Sequence, residues 1–516
     1  MTDERHDVID SRYLQLCDIP HEEAVIEPCI LTIFGGNGDL SRKKLLPAIF
    51  GLWLDKILPE RFSVLGFGRK PLTDEAFREG MHTAVEEAIG TSVQDSKWQE
   101  FSGRLYYLSG DVAEEETMKR LKSRLEELSY KSSQGRRDIL YYMAVPPSAT
   151  QAIVRRLSDF RLCQDDFNAK IIVEKPFGVD GASARKLNAV LKEAFDESQI
   201  YRIDHYLGKE TVQNIMFFRF SNAVFEQVWN SRFIENVQIT VAEDIGIAHR
   251  GEFYESNGIV RDIVQNHVMQ LIGMVAMEPP VGFTANYIRD EKIKVIRSLR
   301  PLDASYIDRN IVAGQYGTGV IKGEHVVGYR EEEQVSSSSV TPTYFAGKFY
   351  VDNLRWASVP FFVRCGKRLK KRVTEICLQF RQLPLRLLGR ACDELKKNVL
   401  VMTINPEEKI TLRFNVKYPY SMNQVQAADM NFYYREAFGR EHQDAYSRLL
   451  ADCFKGDQTL FVREDMVEAT WDVVDPINDR WNNLRGIEFP NYEAGSWGPS
   501  AAIDLIGGTG SRWLTE

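Results

Sequence analysis

The chain has 516 residues, of which 44% are hydrophobic and 27% charged, and a formal net charge of −8. That length exceeds what one hydrophobic core usually serves, so two large domains are expected, and the composition excludes disordered, collagenous and disulfide-scaffold classes. An acidic balance offers no cationic field for nucleic acid or an acidic membrane, so any bound anion has to meet local cations. Seven cysteines, at 17, 29, 163, 365, 377, 392 and 453, form no C-x-x-C pair and read as reduced thiols of a cytoplasmic protein. Residues 1–27 carry acids and no apolar run, which predicts a flexible leader without a secretory or transit signal. No window approaches the roughly 20 apolar residues of a membrane-spanning helix.

In chain order, the first element is the apolar run CILTIF (29–34), with GGNGDL directly after it. A buried strand ending in a glycine turn is expected there. Four further apolar runs follow: FSVLGFG (62–68), RLYYLSGD (104–111), ILYYMAV (139–145) and AKIIVEKPFG (169–178). Helical stretches alternate with them, DEAFREGMHTAVEEAI after Thr73, EEETMKRLKSRLEEL after Asp111 and ASARKLNAVLKEAF after Gly181. Apolar runs without polar alternation suit strands covered on both faces, so this α/β pattern predicts a Rossmann-like, doubly wound parallel sheet over 28–205.

Past Tyr206 the strands alternate apolar and polar residues, as in NVQITVAED (236–244), EICLQF (375–380), NVLVMTI (398–404) and KITLRFNV (409–416). Period-two alternation predicts an antiparallel sheet with one covered face. RDIVQNHVMQLIGMVAM (261–277) reads as an amphipathic helix with Ile263, Val264, Val268, Leu271, Ile272 and Val275 as its stripe, ending before Pro279. The polar run EEEQVSSSSVTPT (331–343) reads as an exposed loop. Residues 206–516 are therefore expected to form an α+β domain, a large, mainly antiparallel sheet covered by helices.

Gly35, Gly36, Asn37 and Gly38 form a turn between a first strand and a first helix, where backbone N–H groups and the helix N-terminus can meet a pyrophosphate. The spacing is G-x-x-G, which by itself serves an ordinary tight turn equally well. Its place in an alternating βα series is where dinucleotides bind. NAD sites commonly carry an acid at the end of the second strand, but this one ends in Arg69 and Lys70. Cations there suit the 2′-phosphate of NADP, and a solvated basic loop is the alternative.

Oxidising a hydroxyl by hydride transfer needs a base for the O–H proton, and a phosphorylated substrate needs cations. RIDHYLGKE (202–210) supplies Asp204, His205, Tyr206 and Lys209 within six residues, and RDIVQNH places Asp262 and His267 on the helix, His267 beside the apolar stripe. Read alone, the first segment could be a charged linker and the second could hold a satisfied core histidine.

Together these segments resemble the glucose-6-phosphate dehydrogenase family. The resemblance covers nearly the whole chain, through GGNGDLSRKKLLPA, AVPP (144–147), EKPFG (174–178), RIDHYLGKE, GIVRDIVQNHVMQ, VPFFVRCGKRL (359–369) and YEAGSWGP (492–499). It implies oxidation of D-glucose 6-phosphate at C1 to 6-phospho-D-glucono-1,5-lactone with hydride transfer to NADP, the first step of the oxidative pentose phosphate pathway. By the same resemblance His267 is the general base and Asp204 its orienting carboxylate. His205, Tyr206 and Lys209 hold the 6-phosphate, Asp262 and Glu243 bond sugar hydroxyls, and Lys367 and Arg372 assist. Lys175 touches substrate and coenzyme, Pro176 is a hinge, and Gly35, Gly36, Asn37, Gly38, Asp39, Leu40, Arg69 and Asp111 line the coenzyme. The resemblance also implies a homodimer or homotetramer and no metal. Some relatives hold a second, structural NADP with basic residues, where this chain has Val373, Cys377 and Thr403, so no structural coenzyme is expected. Two alternatives stand beside this reading: another Rossmann sugar oxidoreductase with an E-K-P segment, and a non-catalytic NADP-binding sensor.

Overall fold

The computed structural model describes residues 26–132, 135–382, 395–421, 424–439, 444–482 and 488–515. The expected leader up to residue 25, Cys17 and Cys392 lie outside them. Six strands form the first sheet: β1 (Cys29–Phe34), β2 (Phe62–Gly68), β3 (Leu105–Ser109), β4 (Arg137–Met143), β5 (Phe167–Glu174) and β6 (Ile200–Ile203). Their order is β3-β2-β1-β4-β5-β6, and every pair is parallel. The helices between them are α1 (Leu46–Leu54), entered through a π-helical turn at Ser41–Leu45, then α2 (Asp74–Ile89), α3 (Asp95–Ser102), α4 (Glu115–Leu128), α5 (Pro147–Asp159) and α6 (Gly181–Ala194). Thr73 caps α2 by accepting from Ala76 N, as its position ahead of the acidic first turn predicts. β6 escaped the sequence reading because it is four residues long and interrupted by Arg202, which is buried with Glu197 and Asn188 as partners at 2.7 and 3.0 Å.

The chain reverses direction across the sheet between β1 and β4, and this switch point opens a crevice at the carboxyl ends of the strands. The glycine turn sits there. Gly35 N and Gly36 N donate to Phe67 O at 2.9 and 3.0 Å, which presses the turn onto β2. A Cβ on Gly36 would lie 2.5 Å from Gly66 Cα, and one on Gly35, whose φ is +88°, would lie 2.4 Å from Ala144 O. No side chain fits either position.

The second half begins with α7 (Glu210–Phe220) and α8 (Ala223–Glu226). Its large sheet holds β7 (Ile234–Ala242), β8 (Ile311–Gly314), β11 (Tyr344–Tyr350), β12 (Pro360–Gly366), β13 (Val373–Phe380), β14 (Val399–Asn405), β15 (Lys409–Lys417) and β16 (Val425–Tyr433). A separate small sheet holds β9 (Tyr316–Ile321), β10 (Glu324–Val326) and β17 (Tyr492–Ala494). The large sheet runs β16-β15-β14-β13-β7-β12-β11-β8 and is antiparallel except where β7 meets β12. The expected single covered face fails at β7, which is buried on both faces. The alternate polar residues there are satisfied by the chain's own C-terminal end: Gln238 donates to Arg512 O and accepts from Leu514 N, and Asn236 donates to Ser511 Oγ. Val373, Cys377 and Thr403 are buried in β13 and β14. The 331–343 run is mostly exposed, but Ser339 and Thr343 are buried as hydrogen-bonding anchors.

The segment read as an amphipathic helix is longer and wholly internal. It comprises α9 (Gly251–Ile259), bent at Gly258, a π-helical stretch over Val260–Val268, and α10 (Met269–Ala276). Every residue from 262 to 277 is buried, because α11 (Ala285–Arg297) and the long C-terminal helix α15 (Glu464–Asn482) cover it from behind. Its polar stripe therefore faces other protein groups and a cavity, not solvent. Four shorter helices complete the fold, α12 (Ala304–Asn310), α13 (Tyr434–Phe438), α14 (Ala445–Lys455) and α16 (Ser500–Gly507). The α15 helix also ties the halves together, with Trp471 Nε1 donating to Phe177 O at 2.9 Å and Asp475 accepting from Gly181 N at 2.8 Å. Gly36→Ala drives a methyl group into β2; a stability loss of about 1–3 kcal/mol is expected, read as a lowered thermal midpoint, and an unchanged midpoint would show that the turn can relax.

Candidate active site

A cavity of about 960 Å³ lies between the carboxyl edge of the first sheet and the central helix. At its floor, Asp204, just past β6, and His267, in the π-helical stretch, are each 1% exposed. His267 Nδ1 donates to Asp204 Oδ1 at 2.6 Å, and the same oxygen accepts from Tyr206 N at 3.0 Å. On the other side of the ring, Lys175 Nζ donates to His267 Nε2 at 2.9 Å. These partners assign a neutral imidazole with its proton on Nδ1 and a lone pair on Nε2 facing the cavity. The Tyr206 ring stacks on the imidazole at 4.0 Å between centroids.

The π-helical turn brings residues five apart onto one side, and so Lys175 also reaches Asp262, at 3.2 Å from its carbonyl and 3.4 Å from Oδ1. Lys367 pairs with Asp262 Oδ2 at 3.5 Å and more closely with Glu243. Glu243 and Lys367 follow the ends of β7 and β12, parallel neighbours whose carboxyl ends share an edge. The four groups form an alternating row of two cations and two anions on the cavity wall.

Burial raises the Asp204 carboxyl, but the His267 ring beside it, with His205 and Lys175 behind, outweighs burial and holds it well below the usual carboxylate range. Asp262 behaves likewise, its burial overcome by Lys175 and Lys367. Burial pushes His267 below the usual histidine value, with Asp204 opposing and Lys175 reinforcing the shift. His205 is depressed further, by burial and then by His267 and Lys175. Asp204, His205 and His267 bring potential metal ligands within 4.8 Å of one another, but both His267 nitrogens are engaged and the Lys175 ammonium would repel a cation there.

Lys209 begins α7 and lies over the Tyr206 ring at 4.9 Å. With the start of α7 and the exposed Arg372, it makes a cationic end to the cavity suited to an anion, where the uncharged His205 ring can add a hydrogen bond. Burial lowers the Lys209 ammonium, Glu408 opposes this, and Arg372 lowers it further. The Tyr206 hydroxyl faces Thr374 Oγ1 at 3.5 Å, two residues from Arg372.

On the other side, Leu40, Ala144, Val145 and Pro146 line the cavity beside Lys175. Gly35, Gly36, Asn37, Gly38 and Asp39 lie just beyond its lining. Asp39 is exposed and pairs with Lys43 at 3.0 Å. Arg69 is exposed past β2, and Asp111 is exposed past β3, where Oδ1 accepts from Ala113 N. All stand on the carboxyl edge of the first sheet. The Lys175–Pro176 peptide is cis.

Sequence reasoning missed three contributors. Glu174, half-buried beside Lys175, accepts from Tyr142 Oη at 2.5 Å, and desolvation raises its carboxyl despite that bond and a second from Tyr446. Glu174 was legible within EKPFG; Tyr446, on α14 some 270 positions later, had no local signal. Asp444 at the start of α14 pairs with Lys44 at 2.9 Å across the cavity mouth, and that juxtaposition too was invisible in one dimension.

Residues 32–214 match the family described as "Glucose-6-phosphate dehydrogenase, NAD binding domain", and residues 216–514 match "Glucose-6-phosphate dehydrogenase, C-terminal domain". The chain is 43% identical over 488 residues to "Glucose-6-phosphate 1-dehydrogenase" of Aggregatibacter actinomycetemcomitans, covering 94% of this chain and 97% of that one. It is 41% identical over 496 residues to the enzyme of the same name in Chlamydia muridarum, covering 94% and 96%. Among solved structures, "Glucose-6-phosphate dehydrogenase in complex with its substrate glucose-6-phosphate" superposes with a TM-score of 0.86 at 34% identity, covering 95% of this chain and all of that one. The structure of "Glucose-6-phosphate 1-dehydrogenase from Mycobacterium avium" gives 0.80 at 34% identity, covering 95% and 99%.

The ring-nitrogen NMR spectrum of His267 should show the neutral Nδ1–H form at pH 7, with protonation only below the usual histidine value. Because Asp204 is the main group favouring the charged ring, Asp204→Asn should push that titration lower still. A rise instead would mean that Asp204 does not act on the ring as a carboxylate.

Proposed function

The chain belongs to the glucose-6-phosphate dehydrogenase family, and on that premise we propose how this cavity performs the family's reaction. The enzyme is an oxidoreductase that oxidises D-glucose 6-phosphate at C1 to 6-phospho-D-glucono-1,5-lactone, with a nicotinamide dinucleotide as hydride acceptor. His267 takes the proton of the C1 hydroxyl on Nε2, the position to which Lys175 now donates as a hydroxyl would. Asp204 holds the ring with Nε2 toward the cavity and stabilises the imidazolium as it forms. The observation that carries this reading is the 2.6 Å bond from His267 Nδ1 to Asp204 at the floor of the cavity.

The 6-phosphate belongs at the cationic end, held by His205, Lys209 and Arg372, with Tyr206 packed against the base. Asp262 and Glu243 accept from sugar hydroxyls, and Lys175 and Lys367 keep Asp262 ionised despite its burial. A pyrophosphate fits the glycine turn, whose backbone leaves no room for a Cβ at 35 or 36 and whose N–H groups precede α1. The dinucleotide supplies the hydride-accepting ring when bound. We assign NADP as the coenzyme: Arg69 is exposed where an NAD site would carry an acid, and with Asp39, Leu40 and Asp111 it borders the same edge. Residues 28–205 act as the coenzyme domain and 206–516 as the substrate and association domain. A homodimer or homotetramer is supported by the exposed edge strand β16, which presents Met430 and Phe432. Among the described residues no helix is long and apolar enough to cross a membrane, and the five described cysteines are all free, which supports a cytoplasmic location.

His267→Asn should lower kcat by about 10³-fold or more at nearly unchanged KM. Lys209→Ala should mainly raise KM, by roughly 10–100-fold for one charge-assisted bond. NADPH absorbance with glucose 6-phosphate measures both, and substantial turnover in His267→Asn would reassign the base. Arg69→Ala should cut the preference for NADP over NAD by about tenfold or more; an unchanged preference would take Arg69 out of the coenzyme site.

A further inference from the structure

Lys292 is a buried cation that the reaction as described does not use. It lies on α11, is 2% exposed, and packs its stem against α10, where Gly273 leaves room: Lys292 Cβ and Cγ would both stand 3.7 Å from a Cβ there. Gly273 and Gln270 lie on the helix that continues directly from the stretch carrying His267, so Lys292 packs on the element that delivers the base. Among the described residues Lys292 has no ion-pair partner. The same region holds two buried acceptors without a donor, Asp204 Oδ2 and Gln270 Oε1.

The charge balance gives this cation a role. On the cavity wall Lys175 and Lys367 are matched by Asp262 and Glu243. Behind the wall, Asp204 is a fully buried anion whose hydrogen-bond partner, His267, must be neutral before it can accept a proton. A buried carboxylate without a counter-charge is costly; a neutral His267 supplies none, and Lys175, shared with Asp262, acts on Asp204 only from the cavity side. Lys292 is the unmatched cation on that side. Burial draws its ammonium down to about 8, Asp204 opposes that fall, and Arg289, one turn earlier on α11, adds to it. The other charged groups near the row are His205 and Lys175 from the cavity side. From α15, packed behind, Met466 meets Gly273 and Thr470 bonds Gln265. From α14, Tyr446 also senses Asp204. From α7, Arg219 is committed to Glu226 and to the carbonyls of Met274 and Val275.

We propose that Lys292 is a positioning residue of the active site: the standing counter-ion of Asp204, which keeps that carboxylate ionised and His267 neutral and ready until substrate arrives. The proposal rests on the reading of Asp204 and His267 as the base pair of the reaction. It acts on the base through Asp204, across more than direct hydrogen-bond distance. Without the cation, the buried Asp204–His267 pair carries an unbalanced negative charge and takes up a proton more readily, so the base becomes protonated at a higher pH.

The test is the pH profile of kcat/KM together with the NMR titration of His267 in Lys292→Met, Lys292→Arg, Asp204→Asn and the Lys292→Met/Asp204→Asn double variant. In Lys292→Met the acid limb and the His267 titration should move up by about one pH unit, a roughly tenfold loss on the acid side that recovers at high pH. Lys292→Arg, which keeps the charge, should hold the wild-type limb. With Asp204→Asn already present, Lys292→Met should move the titration little, since the charge it balances is gone. Lys292→Gln supplies a second uncharged variant if Met lowers the folded yield. A limb unmoved in the uncharged variants, moved equally in Lys292→Arg, or moved undiminished in the Asp204→Asn background overturns the proposal. Wild-type turnover in Asp204→Asn would instead overturn the underlying reading of the base pair.

Discussion

The hydrogen bond between Asp204 and His267 joins two halves of the chain that are 63 positions apart and come from different domains. Asp204 is delivered by the last strand of the parallel sheet, His267 by the central helix of the second half, and neither is reached by solvent to any useful extent. The groups around the pair make a buried ion tolerable and hold the buried imidazole in one orientation. The tight turn after β6 gives Asp204 a backbone donor in Tyr206 N, the ring of Tyr206 covers the imidazole, and the cations of the cavity wall restrain the charge of their own acids. Such a pair is weak evidence of stability, because desolvation offsets much of the attraction. Its value lies in directing one lone pair at one place.

That direction depends on how the two halves are locked. The α15 helix spans both, holding the carbonyl of Phe177 just past Lys175 and the start of α6 while packing behind the central helix. Lys175 and His267 face each other across the domain boundary because of this lock, and the cavity they bound is continuous with the glycine turn's edge. The π-helical stretch adds a local device: a wider turn than an α-helix allows Asp262 and His267 to meet the same lysine.

Much of the fold was legible in the sequence. Unbroken apolar runs marked β1 to β5, Thr73 and the acidic turn marked α2, and the glycines at 35 and 36 marked a backbone approach that the structure shows to be sterically obligatory. The same pattern logic failed where tertiary covering overrode it. The helix from 261 looked amphipathic because its polar residues keep a helical period, yet those residues are internal. The alternation in β7 looked like a solvated face because hydrogen bonding to the chain's own end is indistinguishable, in one dimension, from hydrogen bonding to water.

By itself the sequence determined which residue types were present to do the chemistry, the order of the strands along the chain, and, through the run of motifs from GGNGDL to YEAGSWGP, the family. Those are local properties: periodicity, turn chemistry and short spacings need no partner to be read. Only the tertiary structure decided which acid meets which base, that Glu174 and Tyr446 converge under Lys175, and that a lysine on α11 stands unmatched behind Asp204. Electrostatic balance in a buried site is a sum over neighbours brought together from distant positions, and no window along the chain contains that sum.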